Sequence, residues 1–140
     1  MHTKIFVNLP VKNLDRTMTF FTKLGFKFKP QFTDENATCM IVADDIFVML
    51  LSERFFKTFT RKEVIDATKS TEVILALSAE SREKVDEMIN NAIAAGASTL
   101  SPAQDQGYMY GRGFQDIDGH LWEVIWMSPE VIEEEDSPSL

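Results

Sequence analysis

The sequence predicts an α+β fold built from two βαβββ modules. Three observations lead there. The 140-residue chain runs through strand, helix and three strands, and repeats that order after a connector. In each half the apolar residues switch from a period of two to helical spacing and back. Each helical stretch is bracketed by an N-cap residue and a closing glycine. One helix for four strands covers only one face of each half-sheet, so the other faces must meet or enclose something. A curved mixed-sheet cleft is the expected result.

The elements follow in order. From Lys4 to Val11, Ile5, Val7 and Leu9 share one face and Phe6, Asn8 and Pro10 the other, which is a strand. Asn13 or Asp15 caps a helix whose stripe is Leu14, Met18 and Phe21, widened by Phe20 and Leu24 and ended by Gly25. Phe26 to Lys29 is a second strand, closed by Pro30. Thr33 to Asn36 is a turn. Thr38 to Val42 and Ile46 to Leu51 are strands joined at Asp44-Asp45, and Phe47, Met49 and Leu51 share a face. In the connector, 52–70, Phe55, Phe56 and Phe59 sit among Arg54, Lys57, Arg61 and Lys62. They form an amphipathic cover on the core or a lid over a ligand.

The second module starts with a strand from Glu72 to Ser78, with Glu72, Ile74 and Ala76 on one face. Ser81 caps a helix carrying Val85, Met88, Ile89 and Ala92, and Gly96 ends it. Ser98 to Leu100 is a strand and Pro102 to Gly107 a loop. Tyr108 to Gln115 and His120 to Met127 form a hairpin around the Asp116 to Gly119 turn. Residues 1–128 thus read as a single domain, with module 1 at about 4–51 and module 2 at about 71–128. The acidic tail, 129–140, is expected to be disordered beyond Glu133.

Composition narrows the function. A net charge of −8 argues against nucleic acid and anionic membranes. Hydrophobic content of 44% suits an ordinary globule. The single cysteine, Cys39, forms no internal disulfide and reads as core. No secretory leader or membrane-length apolar run is visible, so the cytoplasm is the expected compartment.

Two segments resemble the vicinal oxygen chelate superfamily, the glyoxalase, bleomycin-resistance and extradiol-dioxygenase group. The first is Leu9-Pro10-Val11-Lys12-Asn13-Leu14-Asp15-Arg16 with Phe20-Phe21-Thr22-Lys23-Leu24-Gly25-Phe26. The second is Phe114-Gln115-Asp116-Ile117-Asp118-Gly119-His120-Leu121-Trp122-Glu123. With the repeat, the resemblance covers about residues 4 to 128. It implies a divalent metal held by His or Glu from the first and fourth strands of each half. Those positions fall on Phe6, Met49, Glu72 and Glu123. Phe6 and Met49 offer nothing to a hard cation, so the implied metal site is incomplete. Glu72 and Glu123 remain as a weak site for Mg²⁺ or Mn²⁺. Without metal, the two carboxylates would repel across one cleft and one would take up a proton, or each would pair with a cation such as Arg112.

Glu123 is the candidate catalytic base, because a carboxylate on the face of Leu121, Ile125 and Met127 needs a reason to be there. Asn8, Met49, Tyr108, Tyr110, Arg112 and Phe114 are candidate ligand-binding residues, by inward parity, stacking and charge-assisted bonding. Gly107, Gly111 and Gly113 permit close approach of a ligand or of another backbone. The same residues also suit a dimer seam, and a homodimer is expected. His2 sits at the fraying chain start, and His120 has the opposite parity to Glu123. Three functions remain open: a small-molecule binding protein of the bleomycin-resistance type without a full metal site; a lyase, isomerase or dioxygenase-like enzyme using Glu123 with Glu72; and a protein-interaction module. The cofactor is either none or a divalent ion.

Overall fold

The computed structural model describes residues 3–131. His2 and the tail segment expected to be disordered lie outside them. The chain divides into two compact units at Ser70/Thr71. Between Ile5 and Met127 there are nine strands and three α-helices.

In the first unit, β1 (Ile5–Val11), α1 (Leu14–Lys23), β2 (Lys27–Phe28), β3 (Ala37–Ala43) and β4 (Ile46–Ser52) build a sheet in the order β1-β4-β3-β2. β1 runs parallel to β4, and the other pairs are antiparallel. The parallel pair needs a crossover, and α1 supplies it. Asn13 caps α1 by accepting a hydrogen bond from the backbone N–H of Arg16 at 3.0 Å. Gly25 ends it at φ +100°, a conformation that side-chain-bearing residues rarely adopt. Leu14, Thr17, Phe20 and Phe21 of α1 are buried, as are Leu9, Val11, Met40, Val48 and Leu50 of the strands. These strand residues share one face, and Phe6, Asn8, Phe47 and Met49 share the other. The connector forms a short helix, α2 (Glu53–Phe56), that packs on β1 and β4.

The second unit repeats the plan with β5 (Ile74–Ser78), α3 (Arg82–Ala94), β6 (Ser98–Thr99), β7 (Gln104–Asp105), β8 (Met109–Gln115) and β9 (Leu121–Met127). Its path is β5-β9-β8-β6, with β7 also on β8. Again the first and last strands are parallel. Ser81 caps α3 through the N–H of Lys84 at 3.1 Å. Val85, Ile89 and Ala92 of α3 are buried, as are Phe114, Trp122 and Val124 of the sheet.

Three sequence expectations need correction. The 102–107 loop contains a short strand, β7, that pairs with β8. β8 begins at Met109, leaving Tyr108 outside it. β5 begins at Ile74, not Glu72. The cause is its partner: Ile74 pairs with Leu121, the first residue of β9. Before Leu121 the chain turns away, so Glu72 has no strand to pair with.

The turn between β8 and β9 is tied to one buried side chain. Asp116 is 4% exposed. Its Oδ1 accepts from the N–H groups of Asp118 at 2.9 Å and His120 at 3.0 Å, and its Oδ2 from Trp122 Nε1 at 2.9 Å. Burial pushes the Asp116 carboxyl above its ordinary range, against the pull of His120 and of these donors. Truncation would strand three donors in a site closed to water. Asp116→Ala should therefore lower stability by about 2–4 kcal/mol, measured by urea denaturation. A change below about 0.5 kcal/mol, the range of an ordinary surface substitution, would contradict this role.

Candidate functional site

Glu123 takes its setting from the register of three strands. Its partner on β5 is Ala76, and its partner on β8 is Gly113. The next row on the same face is Ser78, Ile125 and Gly111, followed by the pair Met127 and Met109. The carboxylate therefore rises from β9 between an alanine and a glycine, with apolar side chains further along. The intervening rows, Leu75-Trp122-Phe114 and Leu77-Val124-Arg112, point to the α3 side.

Above this face lies a groove of about 50 Å³ lined by Glu123, Leu100, Pro102, Met109, Gly111 and Ile125, among others. A hollow of about 250 Å³ shares Ile125 with it and is lined also by Ala76, Ser78 and Met127. Gly113 makes the close packing at the rim possible. A Cβ there would meet Trp122 O at 3.1 Å, Leu100 Cδ1 at 3.5 Å and Glu123 Cγ at 3.7 Å.

Among the described residues, the half-buried Glu123 side chain has no hydrogen-bond or ion-pair partner, and neighbouring cations are committed elsewhere. Arg112 Nη1 donates to Asp86 Oδ1 of α3 at 3.0 Å, and Tyr110 Oη donates to the same oxygen at 2.7 Å. The Tyr110 bond first, then Arg112, holds the Asp86 carboxyl below its ordinary range. Arg82 forks onto Asp105 at 2.7 and 2.9 Å and donates to Gly107 O at 2.9 Å. Its guanidinium also lies 5.2 Å from the Tyr110 ring and 5.1 Å from the Trp126 ring.

Within the second unit Arg112 borders the groove with Glu123, whereas Tyr108, Tyr110 and Phe114 are not among its lining residues. Tyr110, Arg112 and Phe114 share a face, as their alternation implies. Their register partners are Trp126, Val124 and Trp122, so that face is the one covered by α3. Phe114 is 1% exposed and stacks on Trp122 at 6.3 Å, with 7° between the rings. Tyr108 is 48% exposed and donates to Gln106 Oε1 at 2.7 Å. In the first unit, Asn8 and Met49 are strand partners, and Asn8 Nδ2 donates to Phe6 O at 3.1 Å. Phe6 stacks on Phe47 at 5.0 Å, and Lys29 Nζ lies 4.7 Å from the Phe47 ring. His120 sits at the turn, its N–H held by Asp116.

Glu72 is four residues before Ala76, the partner of Glu123, a separation of up to about 13 Å along an extended chain. The position in the second unit that matches Phe6 is Ile74. Each lies two residues before the strand partner of Met49 or Glu123, namely Asn8 or Ala76. The implied ligand positions therefore hold Phe6 and Met49 in one unit, Ile74 and Glu123 in the other. Of these four positions, one carries a carboxylate, two carry hydrocarbon side chains and one a thioether. Among the described residues no group of three or more His, Cys, Asp or Glu is placed to hold an ion. A catalytic metal needs about three protein ligands, and this donor set does not fit one.

Sequence reading passed over Ala76, Leu100, Pro102 and Met109. The helix caps held the signal for the shift at Glu72. Phe6 lies seven residues before its cap Asn13 (13 − 6), and seven before Ser81 is Ile74 (81 − 7), not Glu72.

Comparison with known proteins agrees with this architecture. The model of the Glyoxalase/Bleomycin resistance protein/Dioxygenase superfamily matches residues 3–124. A hypothetical protein from S. aureus superposes with a TM-score of 0.75 at 26% identity, over 90% of this chain and 95% of that one. A glyoxalase-related enzyme from Fulvimarina pelagi gives 0.75 at 17% identity, over 90% and 88%. The fosfomycin resistance protein FosX from Mesorhizobium loti gives 0.68 at 11% identity, over 95% and 98%. No curated protein matches in sequence. No helix among the described residues is long and apolar enough to cross a membrane.

The Arg82 clamp has a pH signature. The Arg82 bonds, then the Gly107 N–H, bring the Asp105 carboxyl from 3.8 down to about 2. A depressed carboxyl stabilises the fold above its unfolded value and loses that contribution as pH falls through its folded value. Asp105→Asn should thus be less stable than the parent at pH 7, and the gap should close between about pH 4 and pH 2. Denaturation curves across that range check it. A gap that does not change with pH would show that the carboxylate charge contributes nothing.

Proposed function

We propose a function from one premise: the chain belongs to the Glyoxalase/Bleomycin resistance protein/Dioxygenase superfamily. Within it, the protein acts as a small-molecule binding protein of the bleomycin-resistance type, and its site works without a metal ion. The observation that carries this reading is the setting of Glu123. It is an unpartnered carboxylate beside an apolar hollow, while Phe6, Met49 and Ile74 occupy the other positions where the family resemblance implies ligands. A groove with a few polar groups beside a mostly apolar hollow suits an organic ligand, which the apolar walls hold and the polar groups orient.

The ligand site comprises Glu123 with the Gly111, Gly113 and Ala76 floor. Asn8 and Met49 are retained as binding residues of the first unit on the strength of their shared face. Tyr110, Arg112 and Phe114 act from the α3 side as supports of β8.

The same carboxylate favours a second reading, in which Glu123 is the general base of a lyase or isomerase. A base needs a proton within reach and no cation holding it, and Glu123 has no cation partner among the described residues. We assign the protein to the cytoplasm because its one cysteine, Cys39, is a free thiol, as a reducing compartment maintains. A homodimer is proposed because Ile5, Phe6, Val73 and Ile74 are large apolar residues left exposed, Phe6 at 50% and Ile74 at 54%.

Metal analysis of protein purified without chelator tests the metal-free reading. The expected result is no stoichiometric divalent ion and no rise in melting temperature with Mg²⁺, Mn²⁺, Ni²⁺ or Zn²⁺. One bound ion per chain, lost in Glu123→Ala, would overturn it.

A further inference from the structure

Resting on the binding function proposed above, we infer that the groove at Glu123 selects an organic cation: a protonated amine carried on a compact apolar body. Four features on one face of the second unit lead to this class. Glu123 is half-buried and has no partner among the described residues. The Arg112 and Arg82 guanidiniums are held by Asp86 and Asp105, so neither is free to neutralise it. Its β5 neighbour, Ala76, carries only a methyl group, which leaves room on that side of the carboxylate for a ligand headgroup. The adjoining hollow is mostly apolar, lined by Ile125 and Met127 with Ala76 and Leu77.

These features separate ligand classes. A carboxylate or phosphate on the ligand would meet Glu123, and the cation that borders the groove, Arg112, is already held by Asp86. A small hard metal ion would find one oxygen-bearing side chain where it needs several. A neutral molecule would fill the hollow but leave the carboxylate without a partner, a cost that grows as the ligand excludes water. An ammonium group gives Glu123 a charge-assisted hydrogen bond while its apolar body covers Ile125 and Met127. The net charge of −8 favours the approach of a cation over that of an anion.

Two variants separate charge from shape. Glu123→Gln keeps the size of the side chain and removes its charge. Gly111→Ala places a methyl in the groove. Its Cβ would lie 3.5 Å from Ile125 Cγ1 and 3.7 Å from Val124 O, ordinary contacts that the fold tolerates.

The experiment uses the full chain in chelator-containing buffer and three matched probes: 2-phenylethylammonium, 2-phenylethanol and 3-phenylpropionate. Binding is followed by ligand-observed NMR and calorimetry. The expected result is saturable binding of the ammonium probe, weakened about tenfold or more by Glu123→Gln. The alcohol should bind more weakly and be indifferent to that substitution, and Gly111→Ala should weaken both. If the alcohol or the carboxylate binds as well as the ammonium, and Gly111→Ala weakens it while Glu123→Gln does not, the cation assignment fails and the binding function stands. If none of the three probes binds, both fail.

Discussion

The hydrogen bonds to the buried Asp116 carboxylate are the constraint on which the second unit depends. They close the β8–β9 turn and fasten it to Trp122, the first α3-side residue of β9. A turn fixed in this way fixes the register of the two strands. In a sheet, a slip of one residue exchanges the two faces. Glu123 would then point toward α3, and Trp122 toward the open side. The chemistry of the open face therefore rests on a side chain that does not belong to it. Its ionised form costs desolvation, and three directed donors offset that cost.

The two units use one topology for different surfaces. Both pair their first and last strands in parallel and cross over through one capped helix. In the first unit the face away from the core stripe carries stacked Phe6 and Phe47, with Lys29 over the Phe47 ring and Met49 beside Asn8. In the second it carries a lone carboxylate on a floor of small residues. The fold supplies positions in register, and the residues at those positions decide what can be bound. Here the family architecture is retained while three of the implied ligand positions hold residues unable to serve a hard cation.

Most of the architecture was legible in the sequence because it rests on local signals. Asn13 and Ser81 at the helix starts and Gly25 and Gly96 at their ends bracket both helices, and alternation marks the long strands. That Glu123 shares a face with Leu121, Ile125 and Met127 also followed from alternation. The errors came where a residue's role depends on its partner strand. Alternation says that Tyr110, Arg112 and Phe114 share a face, but only their pairing with Trp126, Val124 and Trp122 says which one. Glu72 was placed in β5 by the apolar pattern, yet a strand extends only as far as it has a partner, and β9 starts at Leu121. Asp86 and Arg82, which hold Arg112 and the β7 loop, are surface charges on an ordinary amphipathic helix, and nothing local marks them as anchors.

The most direct test of the account is a crystal structure of the chain grown with 2-phenylethylammonium. The account predicts the amine nitrogen at hydrogen-bond distance from a Glu123 carboxylate oxygen and the phenyl ring against Ile125 and Met127, with Arg112 still on Asp86. An ordered metal ion held by Glu123 and further protein ligands would contradict it. So would a ligand lodged on the α3 side of the sheet against Tyr110 and Arg112.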